Sequence, residues 1–391
     1  MSQNRSNKQV GWMACLGVLL PFMVAQVGFI MNPTLTEFAK VFPELSYSTV
    51  SYLATLPSLI CIPCNLLAGR VAGKKVGYRP LCLIAIALVV IGGILPWFFQ
   101  NFIGWCICRC VMGAGMGLIM PLGGALVSRI FKGDMAVKMQ GIGTIVLNSA
   151  GGALQIAASL LIVHNVNYAW LLHSVYIAVF VLVCLFLPEP EKGNEDTGRK
   201  TGRDRIPAVV WIYSVSFGFV FMFAYSMVLN ISRIVTEEGI GTAGIVGTVT
   251  AMFTVGGMAA GFVLDMLYRK MGRWLFPAGH ILISVSLGFG IFAQSIPGLM
   301  VSCFLTGIGV FTIWPASVND FGNICKMNQI AVASGVFVAA LNIGAFLASA
   351  YCGIVGTFLG NAPRIPVMTS AVGMVVIAVC WILGTIRMKK K

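Results

Sequence analysis

Residues 104–121 read GWCICRCVMGAGMGLIMP, and residues 298–315 read GLMVSCFLTGIGVFTIWP. At a constant offset of 194 positions, Gly104, Gly113, Gly115, Ile119 and Pro121 fall on Gly298, Gly307, Gly309, Ile313 and Pro315. The register continues without a gap, so that Gly141, Leu147 and Asn148 fall on Gly335, Leu341 and Asn342. Apolar coincidences are common between hydrophobic segments, but glycine, proline and asparagine coinciding in one register are not. Each stretch lies in an apolar run long enough for a transmembrane helix, which needs about 20 residues. Gly113, Gly115, Gly117, Gly307 and Gly309 are the candidate helix-packing positions, because small residues let such helices approach closely. The chain reads as one multi-helix membrane unit written twice.

Working outward, the same criterion marks twelve runs: 11–31, 48–69, 80–99, 102–127, 140–163, 168–187, 208–231, 241–265, 275–294, 298–319, 329–352 and 365–387. The 391 residues are 58% hydrophobic and 10% charged, with a mean hydropathy of +0.91. Soluble domains carry about 45–50% apolar and about 25% charged residues, so a soluble enzyme, a secreted domain, a disordered chain and a nucleic-acid binder are excluded. The expected fold is all-α and polytopic, with twelve transmembrane helices in two pseudo-symmetric six-helix bundles. Glu189 to Arg205 is the one polar stretch, and its composition is that of a plain flexible linker. The domain reading is a first bundle over 1–187, a linker over 188–206 and a second bundle over 207–391. Arg5 and Lys8 precede a first run too long for a signal peptide, which marks a retained first helix.

The formal net charge of +14 follows topology. With the N-terminus inside, all 26 basic residues but Lys40, Arg109, Arg233 and Arg364 lie in inner segments. Lys and Arg gather on the cytoplasmic side of short loops, so both termini are read as cytoplasmic and the location as the inner (cytoplasmic) membrane. Of the 12 cysteines, only Cys325 reads as a loop residue; the others lie in apolar runs as small hydrophobes. Cys61 and Cys64 have C-x-x-C spacing but lack the soluble context that redox chemistry needs. His164, His173 and His280 form no cluster, and no nucleophile, base or phosphate loop is visible. The expectation is therefore no metal, no cofactor and no enzymatic activity.

Four local patterns resemble the major facilitator superfamily of secondary transporters. Gly69-Arg70-Val71-Ala72-Gly73-Lys74-Lys75-Val76-Gly77-Tyr78-Arg79 resembles the family's loop 2–3 motif, G-x-L-A-D-R-x-G-R-K. Arg109-Cys110-Val111-Met112-Gly113-Ala114-Gly115 is similar to its span 4 motif, R-x-x-Q-G-x-G. Asn167-Tyr168-Ala169-Trp170 resembles the entry to span 6, and Leu187-Pro188-Glu189-Pro190-Glu191 its exit. In the second half, Gly261 and Asp265 followed by Arg269, Gly272 and Arg273 echo the first motif. The resemblance implies alternating access between two six-helix halves. It also implies gating roles for Gly69, Arg70, Lys74, Lys75, Gly77, Arg79, Asp265, Arg269 and Arg273. The motif's acidic position is Gly73 or Lys74 here, so that latch must be weaker or built otherwise. Ser149 to Leu154 has the glycines of the proton-coupled drug exporters' span 5 signature and lacks its proline.

Arg109 is the only basic residue well inside a span, and intramembrane charges usually mark a pathway. Its alternative role is to hold span 4 by bonding to carbonyls. Asn148, Asn342 and Gln26 carry amides that lipid cannot satisfy, as does Gln155. They are substrate contacts or interhelical glue. Tyr225, Asn230 and Trp314 lie on helices that line the cavity in the resembled family. Asn32-Pro33 reads as the stop of span 1, and Arg233, Glu237 and Glu238 as solvated charge at the outer end of span 7. The functional expectation is a monomeric secondary or facilitative transporter of a small organic solute, first an anionic or polar metabolite. A proton or a counter-solute is the candidate coupling partner. The alternatives are proton-coupled multidrug efflux and, from another class, a non-transporting sensor on a transporter scaffold.

Overall fold

The computed structural model describes residues 11–190, 206–326 and 329–389. Among these residues, twelve helical segments are long and apolar enough to cross a membrane. In the first half they are α1 (Trp12–Val41), α2 (Tyr47–Val71), α3 (Tyr78–Phe98), α4 (Phe102–Ile130), α5 (Asp134–Ile162) and α6 (Tyr168–Phe186). In the second they are α7 (Ala208–Glu237), α8 (Ala243–Met271), α9 (Leu275–Phe292), α10 (Ile296–Ile324), α11 (Ile330–Leu359) and α12 (Ile365–Lys389). The fold is all-α, and the only β pairing among the described residues is an isolated bridge between Ala72 and Val76.

The repeat reaches the helix caps. Asn101 Oδ1 accepts from the Gly104 amide at 3.0 Å and starts α4. Ser295, 194 positions on, accepts from the Gly298 amide at 3.3 Å and starts α10. It reaches the packing too. A Cβ on Gly113 would lie 2.6 Å from the Pro57 carbonyl of α2, and one on Gly117 2.5 Å from that of Cys61. Gly115 presses in the same way on the Ala85 carbonyl of α3. In the second half, Gly307 lies on Phe253 of α8, and Gly309 on Ile283 and Gly279 of α9. The paired residues Gly141 and Gly335 instead face open space.

The contacts divide the chain into two units, Met1–Met31 with Leu56–Thr197, and Asn32–Thr55 with Gly198–Lys391. The chain passes from one to the other inside α1, where regular α-helix stops at Val24 and a 3-10 stretch covers Val27–Thr34. This corrects the expected stop at Asn32-Pro33, because the chain resumes as α-helix over Leu35–Val41. Pro33 has no amide hydrogen to donate. The tighter winding carries the chain past it and releases carbonyls that need new donors.

Candidate substrate and gating sites

In the first unit those donors come from α4. Arg109 is fully buried. Its Nη2 donates to the Gly28 carbonyl at 3.4 Å, inside the 3-10 stretch, and its Nη1 to Met112 Sδ at 2.9 Å. Two residues before Gly28, Gln26 Nε2 donates to Asn148 Oδ1 at 3.3 Å, while Asn148 Nδ2 donates back to the Thr144 carbonyl at 3.0 Å. Gln155, two turns along α5 from Asn148, donates to the Gly151 carbonyl at 3.2 Å. The carbonyl oxygens of Gln26 and Gln155 are buried without a partner. Buried polar groups are normally hydrogen-bonded. Here α1 and α5 hold two spare acceptors in the same unit that buries Arg109.

In the second unit, Tyr225 Oη donates to Asn32 Oδ1 at 2.8 Å, and Asn32 Nδ2 is buried without a partner. Asn230 Nδ2 donates to the Ser226 carbonyl at 2.8 Å and to Cys352 Sγ at 3.3 Å. Asn342 is buried and donates to the Val338 carbonyl of its own helix at 2.9 Å. Trp314 is half-buried and stacks on Phe311.

The end of α7 remote from the linker departs from expectation. Arg233 is buried, not solvated. Its guanidinium is paired with Glu237 at 2.8 Å, donates to the Asn361 carbonyl at 2.8 Å and lies 4.9 Å from the Tyr47 ring centroid. Around it, Tyr47 Oη donates to the Leu229 carbonyl at 2.5 Å, Thr36 Oγ1 to Ser232 Oγ at 2.6 Å, and Ser51 Oγ to Ser349 Oγ at 2.8 Å. This clasp joins the last turns of α1 and the first turns of α2 to α7 and α11. Its only sequence signal is the Arg233/Glu237 spacing of four, which places both on one helix face. Arg364, beyond α11, pairs with Glu238 at 2.6 Å and caps α9 by donating to the Ala293 carbonyl at 2.8 Å.

The loop between α2 and α3 turns at Gly73, whose φ of +71° belongs to the left-handed region that glycine tolerates. Gly69, Arg70, Lys74 and Lys75 are exposed. An acid reaches this loop from the exit of α6. Glu189 accepts from the Tyr78 and Arg79 amides at 2.6 and 2.8 Å, and a Cβ on Gly77 would collide with that carboxylate at 2.7 Å. Arg79 returns a bond to the Cys184 carbonyl of α6. The start of the linker is therefore a cap on α3, not plain loop. The rest of the linker, residues 191–205, lies outside the described residues, as do Arg5, Lys8, the Asp265 side chain and Lys390 and Lys391. Arg269 and Arg273 are exposed. A carboxylate on a helix N-terminus satisfies orphan amides and complements the dipole. Glu189→Ala is expected to lower stability by about 1 kcal/mol, read as a lower Tm of the purified protein. An unchanged Tm would show that the cap contributes nothing.

The described residues thus combine twelve helices long and apolar enough to cross a membrane with a buried cation, buried amides and an interrupted first helix. The chain belongs to the Major Facilitator Superfamily, whose defining pattern matches residues 11–349. A mutant of the nucleoside transporter NupG superposes with a TM-score of 0.80 at 11% identity, over 95% of this chain and 99% of that one. A bacterial homolog of the human lysosomal transporter Spinster, inward-facing and unoccupied, does so with a TM-score of 0.77 at 12% identity, over 95% and 96%. The occupied form of that homolog gives 0.75 at 14% identity. No curated protein sequence matches the chain.

Proposed function

We propose that the chain is a secondary transporter that moves a polar organic metabolite across the cytoplasmic membrane by alternating access. A proton or counter-solute gradient supplies the drive. The observation that supports this most is the break in α1 over Val27–Thr34, flanked by Gln26, Asn148 and Arg109. Discontinuous helices are where transporters of this kind present carbonyls and amides to a solute. The spare Gln26 and Gln155 oxygens suit a substrate rich in N–H or O–H donors. Arg109 adds a place for a negative charge.

Uptake into proteoliposomes under an imposed gradient tests the reading, with nucleosides, sugars and organic acids as the first panel. Accumulation of one polar solute, with a raised KM in Gln26→Ala, is expected. Efflux of lipophilic cations with no polar substrate would favour the drug-exporter alternative. Ligand binding without flux would favour the sensor. The proposed orientation puts the linker and C-terminus inside, so a single linker cysteine should resist an impermeant reagent in intact cells.

A further inference from the structure

The seam between α2 and α4, inside the first unit, gathers sulfur. A Cβ on Gly117 would lie 2.8 Å from Cys61 Cα and 2.8 Å from Cys64 Cβ, so both cysteines flank the point where α4 presses on α2. Their spacing of three puts them on one helix face. From the α4 side comes a third sulfur: Cys61 Sγ lies 3.4 Å from Met120 Sδ. A metal–sulfur bond is about 2.3 Å, so two sulfurs on one ion lie within about 4.6 Å of each other. Cys61 and Met120 already meet that limit. Pro63, between the cysteines, gives no amide to its turn, which leaves that turn one bond fewer to hold it against a small adjustment. Cys61 is buried, while Cys64 and Met120 are half-buried, so the group is not sealed.

The donor set selects the ion. Among the described residues, no three His, Cys, Asp or Glu side chains converge on one point. Zn2+ and the harder cations draw their protein ligands from those residue types and from oxygen donors, and here they would have two thiols only. A thioether is a soft donor, and thiolate with thioether suits Cu+. The sequence shows two thiols without a third ligand. The fold supplies that ligand from a helix that lies more than 50 positions further along the chain.

We infer that Cys61, Cys64 and Met120 form a three-sulfur site for a soft monovalent cation, Cu+. Each cysteine gives up its proton to bind, so two protons leave to solvent for one Cu+ taken up. No oxidant or reductant takes part. The site is independent of which organic solute is transported.

The test is titration of the purified full chain with Cu+, reduced and without oxygen, against the chelator bathocuproine disulfonate, with X-ray absorption of the loaded protein. One Cu+ per chain should resist the chelator, in a shell of three sulfurs. Cys106→Ser with Cys110→Ser, the other closely spaced cysteines of a neighbouring turn, should leave that ion in place. Cys61→Ser and Cys64→Ser should each release it. Met120→Leu nearly conserves volume and should leave two sulfurs in the shell. Its affinity should fall by at least about ten-fold, since even outer-shell partners of a metal are worth about 10–100-fold. The proposal is overturned if no Cu+ survives the chelator, or if Zn2+ is held as tightly in a parallel titration. Unchanged Cu+ retention in Met120→Leu overturns it as well. Should Cys61→Ser fail to fold, Cys64→Ser and Met120→Leu, both at half-buried positions, decide the matter.

Discussion

Arg109→Gln is expected to lose most of its uptake per folded transporter, while Arg109→Lys keeps a measurable part. The guanidinium is fully buried beside the break in α1. A charge in a partly dehydrated site interacts far more strongly than in water, and a neutral side chain removes that interaction. Lysine keeps the charge and loses the planar fork, so it should weaken function without matching wild type. The helix-cap role predicts another pattern. The bond from Nη2 to the Gly28 carbonyl is then the whole purpose, and bonds to charged groups are worth about 1.5–3 kcal/mol. In that case Tm falls in Arg109→Gln and specific uptake survives. Initial uptake rates normalised to folded protein, measured beside Tm, separate the two. Near-normal uptake by Arg109→Gln would take Arg109 out of the transport site and with it the argument for an anionic substrate.

Gly307→Leu should leave little or no monodisperse folded protein, whereas Gly335→Ala should behave as wild type. A Cβ on Gly307 would run into the Phe253 carbonyl of α8, and neither side of that contact can yield, because both are backbone. Leucine adds three more carbons where none fits, and overpacking typically costs about 1–3 kcal/mol or more. Gly335 meets nothing within 4 Å. Fluorescence-detected size-exclusion profiles of the two variants make the comparison at equal expression. A symmetric monomer peak for Gly307→Leu would mean that α8 and α10 can separate without loss of the fold.

The break in α1 shows where reading a sequence of this kind succeeds and fails. The composition alone requires membrane helices, since 10% charged residues cannot cover a soluble core of this size. The 194-residue register requires two copies of one unit, and it extends to the caps at Asn101 and Ser295. Asn148, Gln26 and Arg109 stand out because each is costly in lipid, whatever surrounds it. Asn32-Pro33 is read as a helix stop from local propensity. The chain instead winds past it as 3-10 helix, since Arg109 and Ser232 donate to the carbonyls of Gly28 and Pro33.

What the sequence determines by itself is what lipid imposes on each segment separately: span length, number of spans, the repeat, and which side chains must find partners. Which partners they find is decided only in the tertiary structure. Arg233 is set between Tyr47 and Glu237, 186 and 4 positions away in the chain. Glu189 caps a helix that begins 111 residues before it. Periodicity and hydropathy report the solvent a residue prefers. They carry no record of which distant helix will be pressed against it, and that contact is what turns a costly polar side chain into a bonded one.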